Sequence, residues 1–252
     1  MPLPLAHGFK GWTAIPGRSL CILLMTALAA TAIGLELPAD DAEAWNLKKD
    51  AGNIQIYTMD RQGSGFRAFK ATALVDAPIE NLMAVMVNPR SCMQWVYHCV
   101  ESRAIGSGSF HDRYAYSVND MPWPVTDRDY VLRIQTRGHR DRGEIIMDLN
   151  ATPGLLPPQD DRMRVDLSDT RYRFLPEGNS TRLTWIQHTD PNGALPGWLV
   201  NSLVVDIPLR SLQALERVAR QDRYQGYQLV YDPQGRLVDV RPPAHQGMTP
   251  TQ

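Results

Sequence analysis

Apolar and polar positions change period along this chain, and each change marks an element. Ile54 to Thr58 alternates with period two, Gly63-Ser64-Gly65 supplies a turn, and Phe66 to Val75 follows as a second run. Successive side chains of a strand point to opposite faces, so the two runs predict an antiparallel pair. Before them, Asp40-Asp41 caps an expected helix over 40–49 that carries Ala42, Trp45 and Leu47. After them, Ala77-Pro78 opens a helix over 79–87 with Leu82, Val85 and Met86 on its inner face. Proline fits there because the first turn leaves its N–H unbonded in any case. Asn88-Pro89 interrupts that helix, and a short one carrying Met93 and Trp95 comes next.

Six further strands are expected at 96–105, 110–118, 130–136, 143–149, 162–174 and 181–189, with Gly106-Ser107-Gly108 and Pro176-Glu177-Gly178-Asn179 among the turns. Short links between successive strands argue for an antiparallel meander. The last strong element starts at Leu195-Pro196-Gly197-Trp198 and runs to about Tyr224, with Leu199, Leu203, Ile207, Leu212, Leu215 and Val218 at near-helical spacing. Pro208 lies inside it and should remove a backbone bond or kink it. The order describes an α+β domain over residues 40–235, a curved antiparallel sheet gripping one long helix. The polar, Pro-rich stretch 236–252 reads as a flexible tail.

The N-terminus differs from the rest. Lys10 and Arg18 precede an uncharged apolar run from Ser19 to Leu35, and Glu36, Asp40, Asp41 and Glu43 follow it. Basic flank, apolar run and Ala30-Thr31-Ala32 form the order of a secretory signal, assigned to residues 1–32. The expected location is periplasmic or secreted, the alternative being a membrane tether by an uncleaved anchor. With Cys21 removed, Cys92 and Cys99 remain as a pair in an oxidising compartment. Seven residues apart on one helix, their Cα atoms would be about 10 Å apart, and a disulfide needs less than about 7 Å. They bridge only if the helix breaks between them; otherwise they are two free thiols. The formal charge of −1 offers no basic footprint for nucleic acid.

The segment Pro122-Trp123-Pro124-Val125-Thr126-Asp127-Arg128-Asp129-Tyr130-Val131 reads as a stiff, extended entry to a strand, its charged trio tying loop groups together. It resembles the central motif of the START family of lipid-transfer domains. Landmarks in the same order are Trp45, the 54–57 strand, Lys70-Ala71, Ala77-Pro78, Arg90 with Trp95, Trp185-Ile186, and Gly193-x-Leu195-Pro196-x-Trp198. The resemblance implies a helix-grip fold that binds one lipid-like molecule in a tunnel between sheet and C-terminal helix, the helix acting as a gate. Sterol-binding members place an acid and an arginine in the tunnel, and the matching positions here are Ser117 and Ile134. Arg133 is one residue off, which turns its side chain to the other face. That departure argues against a sterol and leaves a phospholipid, a fatty acid or another hydrophobe.

The expected ligand contacts are Ser117, Ile134, Trp185 and Gln187 on the sheet and Val204, Val205, Pro208 and Leu212 on the helix. Trp123 and Trp198 are further candidates for the tunnel wall. No catalytic or metal-binding residues are expected: His98, His111, His139 and His188 lack ligand spacing, and no Gly-x-Ser-x-Gly elbow occurs. Asp127 and Asp129 flank an arginine and read as structural. The expectation is a non-enzymatic, cofactor-free monomer that takes a lipid and touches membrane surfaces transiently. The alternatives are a lyase or hydrolase using the same cavity, and a packed interaction module.

Overall fold

Three strands and two short helices lead into the meander, and the long helix packs against it. The computed structural model describes residues 36–244; the expected signal segment, 1–32, lies outside them. Strands β1 (Asn46–Asp50), β2 (Ile54–Met59) and β3 (Ala68–Val75) precede helices α1 (Ile79–Val87) and α2 (Cys92–Trp95). Strands β4 (Cys99–Ile105), β5 (Asp112–Asn119), β6 (Arg128–Gly138), β7 (Ile145–Ala151), β8 (Met163–Arg164), β9 (Leu167–Glu177) and β10 (Ser180–Asp190) follow. Helix α3 (Gly197–Ala219) and the hairpin β11 (Gln228–Tyr231) and β12 (Leu237–Arg241) complete the described chain. The main sheet runs β1-β2-β3-β10-β9-β7-β6-β5-β4, antiparallel throughout, and β8 adds a short parallel pairing to β6. This is the helix-grip architecture.

Alternation buries one face of the central strands, as Ile54 and Ile56 on β2 and Leu183 and Trp185 on β10 show. The C-terminal half of α3 sends Leu212, Leu215, Val218 and Ala219 into the same core, where Leu82, Met83 and Val85 of α1 meet them. Each fully buried leucine, valine or methionine among them contributes about 1.5–3 kcal/mol.

Three expectations change. Residues 46–50 form an edge strand and not a helix: they are exposed along their whole length and pair with β2 through a bulge at Leu47/Lys49. A short polar segment has no apolar stripe to stabilise a helix, whereas β2 offers it an open ladder. Asp40 lies in a turn with no helix after it to cap, and its carbonyl accepts from Lys70 Nζ at 2.6 Å. The 162–174 strand is two pieces, β8 and β9. Finally, the stretch 236–252 expected as a flexible tail contains β12, whose Leu237 and Val240 are buried core residues. Alternating Leu229 and Tyr231, then Leu237 and Val240, around Asp232-Pro233-Gln234-Gly235 carries that hairpin signal.

The helix does break between the two cysteines. Val96 is extended, His98 has φ +72°, and the Cys92 and Cys99 Cα atoms come to 5.9 Å in a disulfide.

Candidate functional site: an apolar cavity beneath the C-terminal helix

Alternate residues of neighbouring strands turn toward one partly open cavity of about 500 Å³. On β5 these are Arg113, Ala115, Ser117 and Asn119; on β6 they are Tyr130, Leu132 and Ile134. The register sets Arg113 opposite Ile134, Ala115 opposite Leu132 and Ser117 opposite Tyr130, so the two strands form a continuous wall. Met147, Leu149, Thr170, Tyr172, Trp185 and Gln187 extend it across β7, β9 and β10. Trp185 packs edge-on against Phe69 and Trp95, with ring centroids at 5.1 and 6.0 Å, and makes the aromatic floor. Val200, Leu203, Val204 and Ile207 of α3 cover the top. Their spacing of three and four residues makes one stripe of the helix.

Ser117, Ile134, Trp185, Gln187 and Val204 are therefore brought together around the cavity. Val205, Pro208 and Leu212 are not: Val205 packs against the core, Pro208 is buried outside the cavity wall, and Leu212 is a core residue. A four-residue step advances about 40° beyond one full turn, so two steps from Val204 carry Leu212 off the cavity stripe and into the core. Trp123 does not line the cavity; it is 91% exposed at the tip of its loop. The side chain of Trp198 lies outside the described residues.

Register also decides which charge faces inward. Arg133 points away from the cavity and donates through Nε to Asp112 at 2.9 Å, while Ile134 takes the inner position. Among the described residues the lining contains no aspartate or glutamate. Gln187 is already engaged, accepting from Trp185 Nε1 at 3.1 Å and donating to Thr189 at 2.8 Å. Burial pushes the Tyr130 phenol up to about 12, so it stays a neutral hydroxyl on the wall. Arg113, Val200, Leu203 and Ile207 also line the cavity and were not among the expected contacts. Arg113 shares the strand parity of Ser117, which was the available signal.

The charged trio of the Pro-Trp-Pro segment is structural. Asp127 accepts from the Met121 amide at 2.8 Å and closes the loop. Arg128, 2% exposed, donates Nε to Pro191 O at 3.1 Å and Nη2 to Asn192 O at 2.8 Å, holding the segment before α3. Asp129 is buried against Arg164. His188 faces the opposite side of β10 from Trp185 and Gln187, where its Nε2 meets Ser64 Oγ at 3.1 Å and Phe66 O at 3.2 Å.

Comparison with known proteins agrees with this geometry. The family model described as START domain matches residues 26–214. An uncharacterized protein of Pseudomonas aeruginosa is 34% identical over 201 residues, covering 79% of this chain and 98% of that one. The phosphatidylcholine transfer protein of Rattus norvegicus is 25% identical over 173 residues, 66% of this chain and 79% of its own. A crystal structure of a STAR-related lipid transfer protein fragment from Xanthomonas axonopodis superposes with a TM-score of 0.65 at 28% identity, covering 71% of this chain and all of that one. With the grip fold, the lined cavity and a family match over most of its length, the chain belongs to the START domain family.

Proposed function

We propose that this chain is a non-enzymatic carrier that encloses one lipid or similar hydrophobe and transfers it outside the cytoplasm. The observation that carries the reading is the cavity of about 500 Å³ with a largely apolar wall under the front half of α3. Pockets for small ligands have volumes of roughly 300–1,000 Å³ and a few placed polar groups. Each methylene moved from water into such a space contributes about 0.8 kcal/mol, so chain length supplies affinity and a few polar contacts suffice. A filled core would leave no such space, which disfavours the packed module. The Asp127 and Asp129 carboxylates are both committed to the fold, which supports a carrier over a lyase or hydrolase.

Export is supported by the Cys92–Cys99 disulfide, a bond characteristic of oxidising compartments. Transient membrane contact is supported by Trp123, whose amphipathic ring suits a membrane–water interface. Pro208 removes the amide that would bond the Val204 carbonyl, at the junction between the cavity-covering and core-packed halves of α3. That junction suits a gate. Native mass spectrometry of protein purified from its own host should show a one-to-one lipid adduct. An unliganded protein that also leaves an apolar fluorescent lipid unbound at micromolar concentration would sink the carrier reading, and turnover of the bound lipid would favour an enzyme.

A further inference from the structure

The cavity wall carries one guanidinium whose charge the fold does not answer. Arg113 lies at the start of β5 with its partner across the ladder, Ile134, also in the wall. Its Nη1 donates to Phe110 O at 2.6 Å and to Thr136 Oγ1 at 3.0 Å, both neutral acceptors. Its Nη2 is buried and has no hydrogen-bond partner among the described residues. The adjacent carboxylate, Asp112, is on the other face of the strand and is held by Arg133. Arg67, a second arginine in the lining, is paired with Asp60 at 2.7 Å.

Arg113 is half-buried, and the turn before it is closely fitted to its backbone and Cβ. A Cβ at Gly108 would lie 2.5 Å from Arg113 Cβ and 2.7 Å from its Cα, so only glycine lets the Gly106–Gly108 turn close over this residue. Burying an unpaired cation is costly unless a counter-charge and hydrogen bonds accompany it. Guanidinium is moreover the side chain best shaped to meet a carboxylate or phosphate through two parallel bonds. From Arg113 to Asn119 the wall spans six strand steps, about 20 Å, room for an alkyl chain laid along β5 away from the charged end.

We propose that Arg113 is the head-group anchor of this cavity and that the resident molecule is an anionic amphiphile, a single acidic head of carboxylate or phosphate type on an apolar chain. This rests on the carrier reading above and adds the ligand's charge to it. On binding, the Arg113 guanidinium turns so that Nη2 leaves its buried place and donates to an oxygen of the acid, while the chain lies against Leu132, Leu149 and the stripe of α3.

The test compares cis-parinaric acid with its methyl ester, two fluorescent probes that share a chain and differ in head charge. At pH 8 the purified wild-type protein should bind the acid at least about tenfold more tightly than the ester, the range of a charge-assisted bond. Arg113→Gln should erase that preference with ester affinity kept within about twofold. Arg113→Lys, which keeps the charge if the glutamine variant folds poorly, should retain a preference of at least about threefold. Displacement of the bound acid by palmitate or by a lysophosphatidic acid then tells carboxylate from phosphate. Equal binding of acid and ester by the wild type overturns the anchor and leaves the carrier intact. Binding of neither probe removes the carrier reading and the anchor with it.

Discussion

Asp129 and Arg164 meet as a bidentate pair at 3.1 and 2.9 Å where β6 and β8 run side by side, the aspartate fully buried. The same guanidinium also donates to the carbonyls of Pro153, Leu156 and Pro157, so one ion pair fastens the Pro-rich loop to the motif strand. Asp129→Ala leaves Arg164 charged and buried without its carboxylate. The expected loss is about 3–5 kcal/mol, read as a lower urea midpoint; a loss under about 1 kcal/mol would show that the pair contributes little.

The Cys92–Cys99 bond closes a short loop that carries the last turn of α2 into β4. Cross-linking so short a loop contributes about 2–3 kcal/mol in the chain-entropy account. The double variant Cys92→Ser/Cys99→Ser should therefore melt lower than the oxidised wild type by a margin that reducing agent abolishes. A Tm gap that persists when both proteins are reduced would assign the loss to packing.

Steric blockade separates the two faces of α3. Ser117→Trp and Val204→Trp fill the cavity from opposite sides and should abolish fluorescent-lipid uptake with little change in Tm. Leu212→Trp should do the reverse in kind, costing about 1–3 kcal/mol by overpacking the core. Normal uptake in both cavity variants would show that lipid sits elsewhere.

Burial holds the His188 imidazole below its ordinary pKa near 6.5. Above that value both folded and unfolded chains carry it neutral, and it has no pH effect. As pH falls below about 6.5 the unfolded chain takes up the proton first, so stability drops until the folded pKa is reached. Denaturation midpoints between pH 7.5 and 5 should decline in the wild type and decline less in His188→Gln. Parallel curves would assign the acid sensitivity to other groups.

Trp123 is left exposed by the fold, and the membrane contact proposed above would use it. Trp123→Ala should leave Tm unchanged and weaken co-sedimentation with phosphatidylglycerol-containing vesicles several-fold. A variant that sediments as well as wild type would remove this loop from the docking surface.

Much of this was legible from period and motif. Pro78 starts α1, the Pro-Trp-Pro segment sets the frame of β6, and parity along that strand turns Ile134 inward and Arg133 outward. What sequence alone hides is partnership at a distance. Nothing local to Asp129 names Arg164, 35 residues on, as its counter-ion. Nothing local to α3 shows where its cavity stripe ends and its core stripe begins, since Val204, Val205, Pro208 and Leu212 are alike in apolarity and differ only in azimuth. The 46–50 segment went to the sheet because a neighbouring edge was open, a fact held by β2 and not by those residues.

The division of α3 at Pro208 has a consequence for how the molecule can work without coming apart. Leu212, Leu215 and Val218 tie the rear half to the global folding unit, whereas the front half rests on the cavity. Opening the front half exposes little permanent core, so it draws on the low-energy end of the molecule's local unfolding spectrum. On the carrier reading, a lipid held there would act as part of the hydrophobic core for as long as it stayed, and its departure would cost that half its support while the rest of the fold remained standing.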